Sequence, residues 1–227
     1  MKDRFKGFLR QMSTMDYKYT KVSEEHEKLE QKYRLLRDFL TVYEASCDKI
    51  MTYEHGGKTY KNVMEALEVV GERVNLQAFK VNNIYEQASL VVEKMADIHA
   101  TDALNKTASD YSKALGEIGH KKTIMNGKFE DQMMELQKIK SRTAFIDKQR
   151  NITKNIRFDL EKAYKNDPDG VNIPEDLKNS FQAHLTDTEK YMREFVENKD
   201  VIGVINGCVE AQKTFHSAAL EALKNVK

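Results

Sequence analysis

The chain has little proline, no tryptophan and two cysteines among its 227 residues. Both prolines, Pro168 and Pro174, lie in one short segment, so very long helices are permitted on either side of it. No stretch approaches the roughly 20 apolar residues needed to cross a bilayer, and charges interrupt residues 1–15, where a secretory signal would stand. Cys47 and Cys208 form no CxxC pair, which favours a reduced, cytosolic chain with both as small core residues.

Apolar residues recur at helical spacing in three long regions. Hydrophobic residues make up 40% of the chain and charged residues 32%, which is typical of amphipathic helices. We predict breaks near residues 55–58, where a glycine pair stands, and at the two prolines. Asn172 and Glu175 are expected to form a capping box where the third region opens. The predicted seams are Val22, Leu29, Tyr33, Leu36, Leu40, Tyr43, Cys47 and Ile50; then Met125, Phe129, Met133, Leu136, Ile139, Thr143, Ile146, Ile156 and Leu160; then Leu177, Phe181, Leu185, Met192, Phe195, Ile202, Val209, Phe215, Leu223 and Val226.

The length of these regions favours an extended architecture. Helices of roughly 40 to 60 residues would run about 60–90 Å, whereas a compact monomer of this size is roughly 40 Å across. An elongated coiled-coil bundle with a dimer interface is therefore the predicted arrangement.

Several motifs resemble those of BAR domains of the endophilin type. Residues 210–212 (Glu-Ala-Gln) and 215–216 (Phe-His) stand at the spacing of that family's last helix. Residues 138–142 (Lys-Ile-Lys-Ser-Arg), followed by 157–159 (Arg-Phe-Asp), are similar to the helix that leads to the BAR tip. Residues 173–177 (Ile-Pro-Glu-Asp-Leu) resemble the start of the third helix. The segment around Pro168 and Pro174 departs from the family, because it is acidic where the tip of endophilin-like domains is basic.

The resemblance implies both a fold and a function. The implied fold is all-α: an elongated antiparallel three-helix coiled coil that forms a crescent-shaped homodimer, with residues 1–15 as an amphipathic N-terminal helix and residues 16–227 as a single BAR domain. The implied function is to bind anionic phospholipid membranes and to sense or generate curvature in membrane trafficking or endocytosis, in the cytoplasm and peripheral on membranes. The expected dimer-interface residues are Val204, Cys208, Ala211, Phe215, Leu36 and Leu40.

Two stretches suit an anionic membrane surface. Residues 138–165 carry nine basic and three acidic side chains, in a chain whose net charge is +1, and each basic group near an anionic leaflet contributes about 1 kcal/mol. Residues 1–15 place an apolar stripe among basic residues, as an interfacial helix does. The alternatives are a solvated helix face with ordinary ion pairs, and a terminus that packs on its own bundle or frays. The predicted lipid-binding residues are Lys2, Arg4, Phe5, Lys6, Phe8, Leu9, Arg10, Lys138, Lys140, Arg142, Lys148, Arg150, Lys154, Arg157, Lys162 and Lys165.

The sequence gives little support to catalysis. Its six histidines are scattered without an HExxH pair, and no phosphate-binding glycine motif is present. We therefore predict a protein that is not an enzyme and that uses no cofactor, metal or nucleic acid. Its predicted partners are an anionic phospholipid membrane and a second copy of itself, with a small GTPase as a further candidate. Two alternatives to a membrane module stay open: a small-GTPase-binding coiled-coil scaffold and a plain coiled-coil structural protein.

Overall fold

A computed structural model describes residues 16–53, 83–97, 101–224 and 226. These residues contain five α-helices and no strand, which confirms the all-α prediction. The predicted helix of residues 1–15 and the break near residues 55–58 lie outside the described residues. Within the described ranges, no helix combines the length and the apolar character that a membrane span requires. The helices are α1 (Glu24–Thr52), α2 (Ile84–Ala96), α3 (Asp102–Asn166), α4 (Glu175–Val196) and α5 (Asp200–Lys224).

The chain divides into two compact units. Unit 1 comprises Met1–Leu40 and Lys138–Lys199, and unit 2 comprises Thr41–Gln137 and Asp200–Lys227. The long helices α1 and α3 contribute residues to both units because neither contains a proline.

The seam predicted for the second region is confirmed in α3. This helix continues for 65 residues, and its seam residues are buried or half-buried from Met125 to Leu160. Steps of three or four residues, with one step of ten from Ile146 to Ile156, keep one face of the helix turned toward neighbouring helices. The sequence pattern therefore identified the core side of α3 correctly.

The third region is two helices rather than one. Helix α4 ends where the Glu197 amide donates to the Arg193 carbonyl at 2.9 Å and the Asn198 amide donates to Phe195 at 3.3 Å. A new helix starts at Asp200, so the apolar repeat that buries Met192 and Phe195 does not continue in phase. The prediction that one seam runs through Ile202, Val209 and Leu223 is wrong, because these side chains are exposed. The buried side chains of α5 are Val204, Cys208, Ala211, Phe215 and Ala222.

The turn between α3 and α4 is held by local contacts. Gly170 has a φ of 70°, and a Cβ there would lie 2.9 Å from the Tyr164 ring, so glycine suits both the backbone and the space. The Asn172 amide donates to the Asp167 carboxylate at 2.6 Å. Pro174 precedes α4, and no side chain caps the helix. The predicted capping box is therefore wrong, since Asn172 takes part in the turn instead.

In unit 2, a buried lysine closes the end of α1. The Lys122 ammonium donates to the carbonyls of Ile50 at 2.9 Å and Met51 at 3.4 Å. Asn126 adds a second donor to the Met51 carbonyl at 3.1 Å. The last carbonyls of a helix have no partner within the helix, and these α3 side chains supply one.

Candidate functional site

The basic residues of 138–165 do not share one exposed surface. Lys138, Arg142, Lys148, Lys154, Lys162 and Lys165 are exposed, Lys140 and Arg157 are half-buried, and Arg150 is buried. The predicted lipid-binding residues of 1–15 lie outside the described residues. Lipid binding by the remaining residues stays a prediction. The structure also gives several of them contacts within the protein.

Arg150 is the centre of a buried ionic cluster in unit 1. One guanidinium nitrogen lies 2.6 Å from the Glu30 carboxylate, and another lies 2.6 Å from Asp147. Its guanidinium also stacks over the Tyr33 ring, 5.1 Å from the ring centroid. Arg37 reaches the second Asp147 oxygen at 3.0 Å. Because Arg150 is only 9% exposed, its charge is neutralised within the protein rather than presented to a ligand.

Histidine extends this cluster to α4. His26 places Nδ1 2.9 Å from the Glu189 carboxylate and Nε2 3.7 Å from Glu30. The nearby Glu30 carboxylate and the hydrogen-bonded Glu189 raise the pKa of His26 above its usual 6.5, against the opposing effect of burial. His26, with hydrogen bonds from Arg150 and Arg34, holds the pKa of the Glu30 carboxyl well below its usual range. The opposite charges that α1, α3 and α4 bring to this cluster thus stabilise each other.

Arg157 and Glu161 hold the segment before α1. Arg157 donates to the Thr20 carbonyl at 2.9 Å. The fully buried Glu161 accepts the backbone amides of Lys18 at 2.8 Å, Tyr19 at 3.1 Å and Thr20 at 2.8 Å. Burial works to raise the pKa of Glu161, but the hydrogen bonds from Thr20, Tyr19 and Lys18 outweigh it and lower the pKa. Arg157 and Glu161, both within residues 138–165, therefore hold the backbone of residues 18–20 in place.

The surface of α5 offers a different kind of site. A second apolar stripe runs along this helix beside the buried one. It lies about 110° around the helix axis from the buried stripe, counted at roughly 100° per residue. Its successive steps of three, four, eleven and three residues are sums of threes and fours, which keeps its members on one face of the helix. We call it the α5 stripe; its members are 39% to 60% exposed and are Ile202, Ile205, Val209, Leu220 and Leu223.

The four predicted dimer-interface residues of α5 lie beside this stripe rather than in it. Val204, Cys208, Ala211 and Phe215 are buried within the single chain, as is Leu40, and Leu36 is half-buried. Their burial leaves little of these side chains to contact another molecule. Their role in a dimer interface stays a prediction. The buried and the exposed apolar stripes lie on different faces of α5.

The C-terminal part of the α5 stripe borders a groove of unit 2. The groove has a volume of about 280 Å³. The Tyr53 and Tyr85 hydroxyls are hydrogen-bonded to each other at 3.0 Å in its wall, and Phe215 packs 6.3 Å from the Tyr85 ring. Leu223 belongs to both the groove and the stripe. Across the described part of the chain, no group of three or more potential ligands is placed to hold a metal ion.

Three relatives are similar to this chain over nearly its whole length. Spore wall protein 12 of Enterocytozoon bieneusi is 32% identical over 216 residues, covering 95% of this chain and 93% of the relative. Spore wall protein 12 of Encephalitozoon cuniculi is 28% identical, covering 100% and 98%. That of Nosema bombycis is 28% identical, covering 100% of both. The all-helical chain with an exposed seam thus belongs to the spore wall protein 12 family. No family model matches it.

These relationships correct several predictions. The resemblance to BAR domains is wrong as an assignment of family, since the relatives are named spore wall proteins and no BAR model matches. The inferred function, membrane binding and curvature in trafficking or endocytosis, is corrected by the same finding. So is the cytoplasmic, membrane-peripheral location, because the relatives are named for a spore wall. Helix lengths and heptad spacing are shared by many unrelated bundles, which is why the motifs misled.

Proposed function

We propose that this protein is a structural component of a spore wall, in which copies associate through the α5 stripe. The name of its relatives supports the location. The exposed apolar seam of α5 is the observation that supports the mode of action. The proposal corresponds to a plain coiled-coil structural protein, and it requires no catalysis.

The spacing of the α5 stripe favours another helix as its partner. From Ile202 to Leu223 the stripe extends roughly 30 Å at 1.5 Å per residue, which is long enough for three heptads of knobs-into-holes packing. A second copy of α5 supplies a seam of the same length and spacing, and a two-fold interface is self-complementary. Copies in a wall are also at high local concentration, which favours association by mass action.

Burial supplies the driving force. Fully burying a Val, Leu or Ile side chain contributes about 1.5–3 kcal/mol, and the stripe residues are already about half-buried. Five such side chains on each copy give a useful interface when their neighbours also contact. The crescent-shaped homodimer of antiparallel three-helix coiled coils stays a prediction, and the proposal requires only that copies pair along α5.

The association can be tested with two substitutions on the stripe. We expect the purified full chain to form dimers or larger assemblies at micromolar concentration in sedimentation velocity. Replacing Ile202 and Ile205 by Asp places two like charges in the seam and should weaken association by at least about tenfold, which corresponds to 1.4 kcal/mol. The matched control is Phe39→Asp, because Phe39 is 64% exposed on α1, in unit 1.

Two outcomes contradict the proposal. A wild-type chain that stays monomeric throughout the micromolar range would remove the stripe's role. Equal weakening by Phe39→Asp would show a general effect of added charge. The location is tested separately, by seeking the chain in washed spore-wall fractions with an antibody; its absence there would remove the structural role in the wall.

A further inference from the structure

The α5 stripe is symmetric about its own midpoint, which lies between residues 212 and 213. Ile202 stands as many positions before this midpoint as Leu223 stands after it. Ile205 and Leu220 are likewise equally far from it on either side. All four side chains are exposed. A helix with this pattern matches a second copy of itself that runs in the opposite direction, because reversing the helix about the midpoint exchanges the two apolar ends.

We infer that two copies of α5 pair antiparallel, in the register that this symmetry sets. Leu223 of the partner copy then lies opposite Ile202. Its Leu220 lies opposite Ile205. A two-fold axis crosses the pair at the midpoint of the stripe and repeats both contacts on the other side. The inference rests on the proposed association of copies along α5, and it adds the direction and the register of that association.

The middle of the face is compatible with a two-fold axis. Val209, the remaining member of the stripe, lies opposite His216 of the partner copy. His216 is exposed and stands seven residues after Val209, on the same face of the helix. Lys213 lies beside the axis, but its ammonium is 2.8 Å from the Glu210 carboxylate of the same helix. Each copy therefore brings an ion pair to the axis rather than an unpaired charge.

Helix dipoles favour the antiparallel direction over the parallel one. An α-helix carries partial positive charge at its N-terminus and partial negative charge at its C-terminus. Antiparallel copies bring opposite ends together, whereas parallel copies would bring like ends together. A parallel pair would also set the two His216 rings opposite each other in the middle of the seam. The antiparallel pair places an apolar Val209 opposite each ring instead.

The groove of unit 2 supports the same register. It borders the C-terminal end of the stripe, where Leu223 belongs to both. The partner residue that meets Leu223 in the antiparallel register is Ile202, which is 60% exposed in the single chain. Tyr53, Tyr85 and Phe215 line the groove, and their rings offer apolar surface to an aliphatic side chain. A parallel pair would set Ile202 opposite Ile202, at the end of the helix away from the groove.

A charge swap along the seam tests the direction. Ile205→Glu and Leu220→Lys should each weaken self-association of the full chain at least about tenfold in sedimentation velocity, because each sets a charge against an apolar side chain. The chain that carries both substitutions should associate at least about tenfold more tightly than either single variant, since each new carboxylate then faces a new ammonium. The matched control joins Ile205→Glu with Ile202→Lys, at one end of the stripe, and should show no such recovery.

Spin labels measure the direction without altering the seam. Ser217→Cys and Lys224→Cys each place a label at an exposed position, and Cys47 and Cys208 are buried. In the antiparallel pair the two copies of residue 217 lie about 15 Å apart and those of residue 224 about 35 Å apart. In a parallel pair both separations would be short and equal.

The outcomes separate this inference from the proposed function. Equal short separations, single variants that associate as tightly as wild type, or a double variant that associates more weakly than either single variant would each overturn the antiparallel register. Equal separations in a wild-type assembly would leave association of copies intact. A wild-type chain that stays monomeric would overturn the association and the register together.

Discussion

Replacing Arg150 by Met separates a structural role for this arginine from a role at a binding surface. The substitution keeps an unbranched, mostly apolar side chain but removes the guanidinium that lies over the Tyr33 ring, and with it the charge. It leaves the Glu30 and Asp147 carboxylates, each 2.6 Å from an Arg150 nitrogen, without their shared partner. Replacing an exposed arginine on a membrane-binding face would leave no carboxylate of the protein without its partner.

The magnitude follows from burial. Removing one partner of a buried ion pair costs about 3–5 kcal/mol, against 0–1 kcal/mol for a surface pair. Glu30 is 19% exposed and Asp147 is 32% exposed, and Arg34, Lys154 and Arg37 remain near them. We therefore expect a loss of about 2–4 kcal/mol in the free energy of unfolding. At 2–4 °C per kcal/mol for a chain of this length, Tm should fall by roughly 4–16 °C.

Urea and thermal unfolding followed by circular dichroism measure this loss. The matched control is Lys148→Met, an exposed basic residue two positions away on the same helix, which should change stability by no more than about 0.5 kcal/mol. Adding Glu30→Gln to Arg150→Met should recover part of the loss, since the unpaired carboxylate is then neutral. If Arg150→Met lowered the free energy of unfolding no more than Lys148→Met does, the ionic cluster would not contribute to the stability of the fold.

Two further substitutions probe the same unit. Because the pKa of His26 is raised in the folded chain, its contribution to stability is complete below the unfolded value of 6.5 and is lost as the pH rises through the folded pKa. His26→Gln should flatten this decline in urea unfolding measured across neutral pH, and an unaltered slope would contradict it. Glu161→Gln leaves the amides of residues 18–20 with a poorer acceptor, costing about 1–3 kcal/mol. Hydrogen exchange at those amides should become faster; unchanged protection would show that Glu161 does not hold the segment.

The sequence predicted the core of a continuous helix better than that of an interrupted one. In α3 the helix itself is uninterrupted, so the residues from Met125 to Leu160 stay in one phase although buried Arg150 and Thr153 replace apolar residues in part of the seam. In α4 and α5 the three residues 197–199 reset the helical phase. Nothing in the apolar spacing alone marks such a reset, since Ile202 and Val209 fit the old phase and Val204 and Cys208 fit the new one.

Contacts between residues far apart in sequence were a second feature that the sequence pattern could not predict. A run of basic residues does not state whether its charges face solvent, and the carboxylates of Glu30 and Glu189 that occupy the cluster come from other helices. Function was even harder to predict from the apolar spacing. A heptad seam specifies that the partner is another helix, but not the structure in which the two helices are used.

The binding of the last α1 carbonyls by Lys122 makes the end of this helix depend on another part of the sequence. Most helices end through the residues that follow them, often a glycine, so changes in the next segment move the end. Here the final carbonyls are bound from α3 by Lys122 and Asn126. The end of α1 therefore depends on two residues about 70 positions away in sequence. A substitution at Lys122 or Asn126 is expected to fray the last turn of α1, although neither residue belongs to that helix.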